Sequence, residues 1–275
     1  MAIEKEIKNL LFLNRPVQSG FDYRDWPVIV PIQNGTDIDI QLMHWEYIPE
    51  SIHDADELIA ARKNFTWLNA KGENILVNEK GKESMYREGA LHGRILALST
   101  GFYEWRHIPK IGKRGQPLKE TEKIPYYITY DNGEEYFFMA AVSRVWHNLE
   151  MDQKASTFAI ATTDAIGPML QIHNTKKRMP VILPPELALE WMQQDLTEER
   201  IAQLATYQCD PKKFKAWPVA KNFLHAPDPT KEFHYDNLRP YEHQRHLPHL
   251  GRYKNQRPLP HGSRTLLQQP PGRTL

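Results

Sequence analysis

Cysteine is the scarcest residue of this chain: among 275 positions there is one, Cys209. A single thiol excludes a disulfide framework and fits a reducing cytoplasm. Long apolar runs are also missing, and no charged segment precedes an apolar one at the start, so neither a membrane anchor nor secretion is expected. Net charge is nearly absent too, at +1, but it is unevenly spread. From Pro240 onward six basic residues (Arg245, Arg252, Lys254, Arg257, Arg264, Arg273) face one acid, Glu242, which leaves the rest at about −4. A body of that charge is not a general polyanion binder.

The composition, 40% hydrophobic and 25% charged, is that of one ordinary globular domain with extras. Residues 28–32, 40–48, 95–98, 126–130, 136–142 and 158–162 carry the β-branched and aromatic enrichment of strands. Asp131-Asn132-Gly133 tolerates positive φ and predicts a hairpin between two of them. Helices are predicted at 54–63, at 185–193 with a proline in the first turn, and at 197–207. Residues 110–123, rich in Lys, Gly and Pro, read as a long hairpin tip or exposed loop. Ile3, Ile7, Leu10 and Leu11 recur at helical spacing, so residues 1–18 are expected to form an amphipathic helix. Residues 240–275 lack apolar periodicity and are expected to be a disordered tail.

The run Ser99-Thr100-Gly101-Phe102-Tyr103-Glu104-Trp105 sets one carboxylate among large aromatics, and no folding argument requires it there. Desolvation would raise its pKa and let it hold or hand over a proton near neutral pH. Taken alone, a glutamate on a solvent-facing strand position is the simpler explanation. Two further blocks reverse that balance: Trp67-Leu68-Asn69-Ala70-Lys71-Gly72-Glu73 upstream, and Gln171-Ile172-His173-Asn174-Thr175-Lys176-Lys177-Arg178-Met179-Pro180-Val181-Ile182-Leu183 downstream. Together the three resemble the SRAP family, the SOS-response-associated peptidase domain, over residues 19–239. The resemblance implies an α+β fold: a single domain with a mainly antiparallel, barrel-like β core and a few flanking helices.

What the family is known for follows from the resemblance alone. Its members bind abasic sites in single-stranded DNA and trap them on an N-terminal cysteine, whose amine attacks the sugar aldehyde before its thiol closes a thiazolidine. The activity is lyase-like, and the family's name adds a peptidase. Asn69 matches the asparagine that orients the amine and the opened sugar, Glu104 the acid that protonates the ring oxygen, and His173 the histidine that assists proton transfer. For DNA the match assigns Lys71 and Arg178 to phosphates, Thr162 to a phosphate-contacting hydroxyl, and Trp45 to support of the unstacked bases. Lys71 replaces an arginine and supplies a point charge instead of a fork. Glu46 and Glu50 stand in the Trp45 block where acids oppose a phosphate track, and Ser51 stands for a second tryptophan. The implied partner is abasic single-stranded DNA, with no cofactor, metal or membrane, and the protein is expected to be a monomer in the cytoplasm, at the nucleoid in bacteria.

The family pattern begins Met-Cys, whereas this chain begins Met1-Ala2-Ile3. Cys209 is far along the chain and reads as a small buried hydrophobe. Three readings follow: a crosslinker whose start lies upstream with a Met-Cys, a variant in which the Ala2 amine forms a reversible imine, and a degenerate DNA-binding relative without chemistry. Separately, His243, His246 and His249, with His261 beyond, lie in a Pro-rich segment lacking carboxylate or thiol partners, which favours a solvated tail over a metal site.

Overall fold

The structure is a computed structural model that describes residues 17–32, 37–235 and 238. The expected N-terminal helix and the Pro/His/Arg-rich tail, with its histidines, lie outside the described residues. Strands β1 (Asp25–Ile32) and β2 (Asp37–Trp45) form an antiparallel pair from Asp25 opposite His44 to Ile32 opposite Asp37. After β3 (Asn69–Lys71) come β4 (Arg94–Ser99), β5 (Phe102–Ile111), β6 (Pro117–Tyr130), β7 (Phe137–Asn148) and β8 (Gln153–Asp164). β1 pairs with β4, β4 with β7, and β7 with β8, all antiparallel. The ring closes where β8 runs parallel to β2, with His44 opposite Thr157 and Trp45 opposite Phe158. The result is a five-stranded barrel, mainly antiparallel.

Alternation along these strands sorts the core into two clusters, as the two-residue period of a strand demands. Val28, Ile95, Met139, Phe158 and Ile160 pack with Ile124, Tyr126 and Ile128 of a second sheet. Their neighbours Ile29, Leu96, Ala140 and Ala159 pack with Trp191, Ile201 and Leu204 of the helices. With both faces covered, the strands read in sequence as continuous apolar runs. The helices are α1 (Ala55–Arg62), α2 (Arg87–His92), α3 (Met169–Ile172), α4 (Pro185–Trp191) and α5 (Glu198–Ala205). Asp54 caps α1 by accepting the Glu57 amide, and Thr197 caps α5 by accepting that of Arg200. α2 and α3 are too short to show a helical period. Among the described residues no helix is long and apolar enough to cross a membrane.

The second sheet corrects one expectation. It is ordered β11-β6-β5, with β11 at Phe214–Pro218. β5 and β6 form the hairpin expected at 110–123, their pairing reaching Ile111 opposite Pro117. Asp131-Asn132-Gly133, however, does not make a hairpin: Gly133 does take φ +88°, but β6 ahead of it belongs to this sheet and β7 after it to the barrel. Turn residues set the local reversal; the partner of each strand is chosen by distant side chains.

Glu46 is the second correction. It was expected to repel a phosphate track, yet it is fully buried and gripped by the Arg62 guanidinium at the end of α1, at 3.1 Å from Nε to both carboxylate oxygens, with His44 Nε2 at 3.4 Å. Burial pushes its carboxyl up, but the hydrogen bonds from His44 and Arg62 outweigh this and hold it below the usual carboxylate range. A neutralised, buried acid has no long reach. A depressed folded pKa means that Glu46 contributes stability above the ordinary carboxylate pKa and loses it as pH falls through the folded value. Arg62→Leu leaves the buried charge with only His44 beside it, so denaturant unfolding should show a loss of about 3 kcal/mol at neutral pH, shrinking below pH about 4. A loss within 0.5 kcal/mol, typical of about any surface change, contradicts the assignment.

Candidate active site

β8 carries the site. Past the point where β2 ends, β3 takes its place at the same edge, so that Trp45, Asn69 and Lys71 stand opposite Phe158, Ile160 and Thr162 in turn. On the other edge β9 (Arg178–Pro180) runs antiparallel, with Thr162 opposite Pro180 and Asp164 opposite Arg178. The chain can leave β3 sharply only because residue 72 is glycine: a Cβ there would sit 1.8 Å from the Ala205 carbonyl oxygen at the end of α5. Gly101 plays the same part ahead of β5, where a Cβ would meet the Tyr127 ring at 2.3 Å. That close approach, together with the Tyr127 hydroxyl donating to the Thr100 carbonyl at 3.1 Å, fixes the crossover from β4 that delivers Glu104.

Glu104 on β5 faces His173, which follows α3. Its Oε1 lies 3.5 Å from His173 Nδ1, and the two side chains retain 25% and 16% of their exposure. His173 Nδ1 is also 2.8 Å from the Arg178 carbonyl. A carbonyl only accepts, so Nδ1 carries the hydrogen and Nε2 keeps the lone pair. Burial pushes the Glu104 carboxyl up to about 7, against weaker opposing pulls from the Trp105 amide and the Lys176 charge. Burial pushes His173 down, and nearby Lys176, His107 and Arg178 add to this, while the hydrogen bond to the Arg178 carbonyl opposes it. The pair is therefore a carboxyl that keeps a proton near neutrality beside a neutral imidazole, and not an ion pair. It can donate at one atom and accept at another.

The remaining assigned residues are placed as follows. Arg178 donates to Glu73 through both terminal nitrogens, at 2.5 and 2.8 Å, and to Asp164 and the Thr162 carbonyl at 2.9 and 2.6 Å, while its buried Nε has no partner. Glu73 is held below the carboxylate range, the Arg178 hydrogen bond outweighing its burial. Thr162 Oγ1 reaches the Ala70 carbonyl at 3.4 Å and Arg178 at 3.2 Å. Lys71 is exposed and pairs with Glu79 at 2.8 Å. The Asn69 side chain is exposed, while its backbone carbonyl accepts the Tyr86 hydroxyl. Trp45 is half-buried, its indole N–H donating to the Leu68 carbonyl at 3.0 Å and its ring stacked on Phe158. Glu104, His173, Arg178 and Thr162 thus form one connected set on the β8–β9 side, with Lys71 and Asn69 across β8. Cys209 is buried, its thiol pushed up to about 12 by burial, which removes it as a nucleophile.

Two features escaped the sequence reading. Glu73, in the turn after β3, and Asp164, on β8, both engage the terminal nitrogens of Arg178, and only their placement in the fold reveals it. Asn174 is the other: its amide donates to the His107 carbonyl at 2.8 Å and accepts the His107 amide at 3.0 Å, tying the loop after His173 to the strand that carries Glu104. A side chain that imitates a strand rung has no local signature.

Residues 17–225 match the SRAP family, SOS response associated peptidase, well over half of the chain. The chain belongs to the SRAP family. It is 29% identical over 149 residues to the abasic site processing protein YedK of Escherichia coli K12, a match spanning 54% of this chain and 60% of that protein's length. A crystal structure of a protein from Bacteroides thetaiotaomicron superposes with a TM-score of 0.64 and 27% identity, covering 78% of this chain and 84% of the other. A phage-related protein from Bordetella bronchiseptica gives 0.51 and 26%, over 72% and 79%.

The raised carboxyl has a stability consequence. Glu104 keeps its proton to about 7 when folded, whereas an unfolded glutamate releases it near 4.3. The folded state therefore binds the extra proton, and its stability falls as pH rises through that window. Glu104→Gln removes the penalty. It should be more stable than the parent by up to about 3 kcal/mol at pH about 8, with the difference vanishing near pH about 4. Urea unfolding at the two pH values checks this; a difference independent of pH contradicts it.

Proposed function

We propose that the protein recognises abasic sites in single-stranded DNA and opens the abasic sugar, with Glu104 as the proton donor. The observation that carries this reading is the Glu104–His173 pair: a half-buried carboxyl pushed up to about 7 by burial, 3.5 Å from an imidazole whose Nδ1 serves the Arg178 carbonyl. An abasic deoxyribose rests mostly as a cyclic hemiacetal, which is unreactive toward amines. Glu104 gives its proton to the ring oxygen as the carbon–oxygen bond breaks and the anomeric hydroxyl releases its own to water, so that an aldehyde and a new hydroxyl result. His173 hydrogen-bonds that hydroxyl, and Asn69 holds the open sugar with a donor and an acceptor on one rigid amide. Lys71, Thr162 and Arg178 take phosphates, and binding weakens as salt rises.

The aldehyde then accepts an α-amine. With an N-terminal cysteine, amine and thiol together close a thiazolidine with loss of one water. With Ala2 the amine alone gives an imine, again losing one water, and no thiol locks it. Membership of the SRAP family and the likeness to an abasic site processing protein support the reading. The alternative is a binding-only relative without chemistry; in either case phosphates must displace the carboxylates of Glu73, Asp164 and Glu79 that already engage Arg178 and Lys71.

Incubation with abasic single-stranded oligonucleotide, followed by denaturing electrophoresis, separates these. The chain beginning Met1-Ala2 should give no heat-stable, thiol-dependent adduct, and Cys209→Ser should change nothing. A Met-Cys leader placed ahead of Ile3 should restore trapping. Glu104→Gln in that background should slow it by about a hundredfold, on the order of 3 kcal/mol, while anisotropy shows nearly unchanged affinity. No adduct from a folded Met-Cys variant that still binds the DNA establishes the binding-only relative.

A further inference from the structure

A stripe of open side chains runs along the approach to β3: Phe65, Thr66, Asn69 and Lys71 are exposed and Trp67 is half-buried, while Leu68 and Ala70 are buried. It offers two aromatics, then an amide and a cation, the last two on β3 and about 6.6 Å apart. Phe65 and Trp67 stack on one another, 6.0 Å between centroids and 18° between planes, and Phe65 leaves 61% of its surface in water. Trp67 packs against the helix-facing core cluster, whereas Phe65, this open, gains little for the fold.

The pair is nonetheless held firmly from behind. The Trp67 carbonyl accepts the Tyr47 amide at 2.9 Å, the Phe65 amide donates to the Ala61 carbonyl at 3.0 Å, and the next carbonyl, that of Leu68, takes the Trp45 indole at 3.0 Å. Trp45 is half-buried, stacked on Phe158 and 6.3 Å from Trp26. It props the backbone between Trp67 and Asn69.

We infer that Phe65 and Trp67 are a nucleobase platform: they stack the unpaired bases on one side of the lesion, while Asn69 meets the abasic sugar and Lys71 the adjoining phosphate. This rests on the abasic-site reading and deepens it. Charge argues for this occupant over a protein partner, because the stripe ends in a lysine paired only through a surface salt bridge, which a phosphate displaces readily. Stacking is indifferent to base identity, so the platform adds affinity without sequence preference.

Anisotropy with fluorescent single-stranded oligonucleotides, abasic and intact, tests this on the full-length chain. Trp67→Leu and Phe65→Ala should each weaken binding to both strands by about five- to a hundredfold, whereas Trp67→Tyr, which keeps a ring, should restore most of it. Duplex binding should not change. If the parent binds neither strand, the abasic-site reading itself fails. If the parent binds and the two variants bind equally well, the platform is overturned; so it is if they lose only self-association in sedimentation, which would assign the aromatic pair to a contact between copies.

Discussion

The parallel register of β8 against β2 and then β3 is the constraint from which the site follows. β8 pairs with four strands: β2 and β3 on one edge, running parallel, and β7 and β9, antiparallel. β2 and β7 join it to the barrel, whereas β3 and β9 carry Asn69, Lys71 and Arg178. A shift of one residue in this register would turn Ile160 and Thr162 over together and move Asn69 and Lys71 relative to Arg178. The register is secured by burial on both faces, Phe158 and Ile160 on one and Ala159 and Ala161 on the other. Small residues on the helix-facing side let α5 approach closely, which is also why the turn after β3 needs Gly72.

On this frame two kinds of electrostatics are separated. Glu104 and His173 have their charges suppressed by burial, and the carboxyl retains a transferable proton. Glu46 is held by Arg62, and the terminal nitrogens of Arg178 by Glu73 and Asp164. The difference lies in what each acid meets: Glu46 meets a guanidinium, whereas Glu104 meets an imidazole whose N–H already serves the Arg178 carbonyl. An acid given a strong cationic partner would have been a poor proton donor near neutrality. Arg178 in turn can reach a phosphate only by leaving Glu73 or Asp164, so DNA must compete with built-in carboxylates at that position.

Much of this was legible in the sequence. Strand positions followed from apolar runs, helices were expected where α1, α4 and α5 fall, and the desolvated glutamate followed from its aromatic neighbours. What was not legible depended on partners far along the chain. The Glu46 charge is cancelled by Arg62, sixteen residues on, and Asn174 finds its partner in the backbone of His107, 67 residues back. The turn at 131–133 has the right residues for a hairpin, and its two strands still go to different sheets. β3, β9 and β10 (Ile182–Leu183) are two or three residues long, below the length at which a period can be read. Trp45, assigned to bases from its motif, proves half-buried, a matter of packing that spacing alone does not carry.

The claim on which the account turns is that Glu104 is a protonated acid near neutral pH. Its side-chain carboxyl carbon, observed by NMR in protein labelled at glutamate and assigned with Glu104→Gln, reports that proton directly. The account requires a midpoint near 7. A midpoint near the ordinary glutamate value of about 4.3 would contradict it, because the group would then be a carboxylate with no proton to give to the sugar.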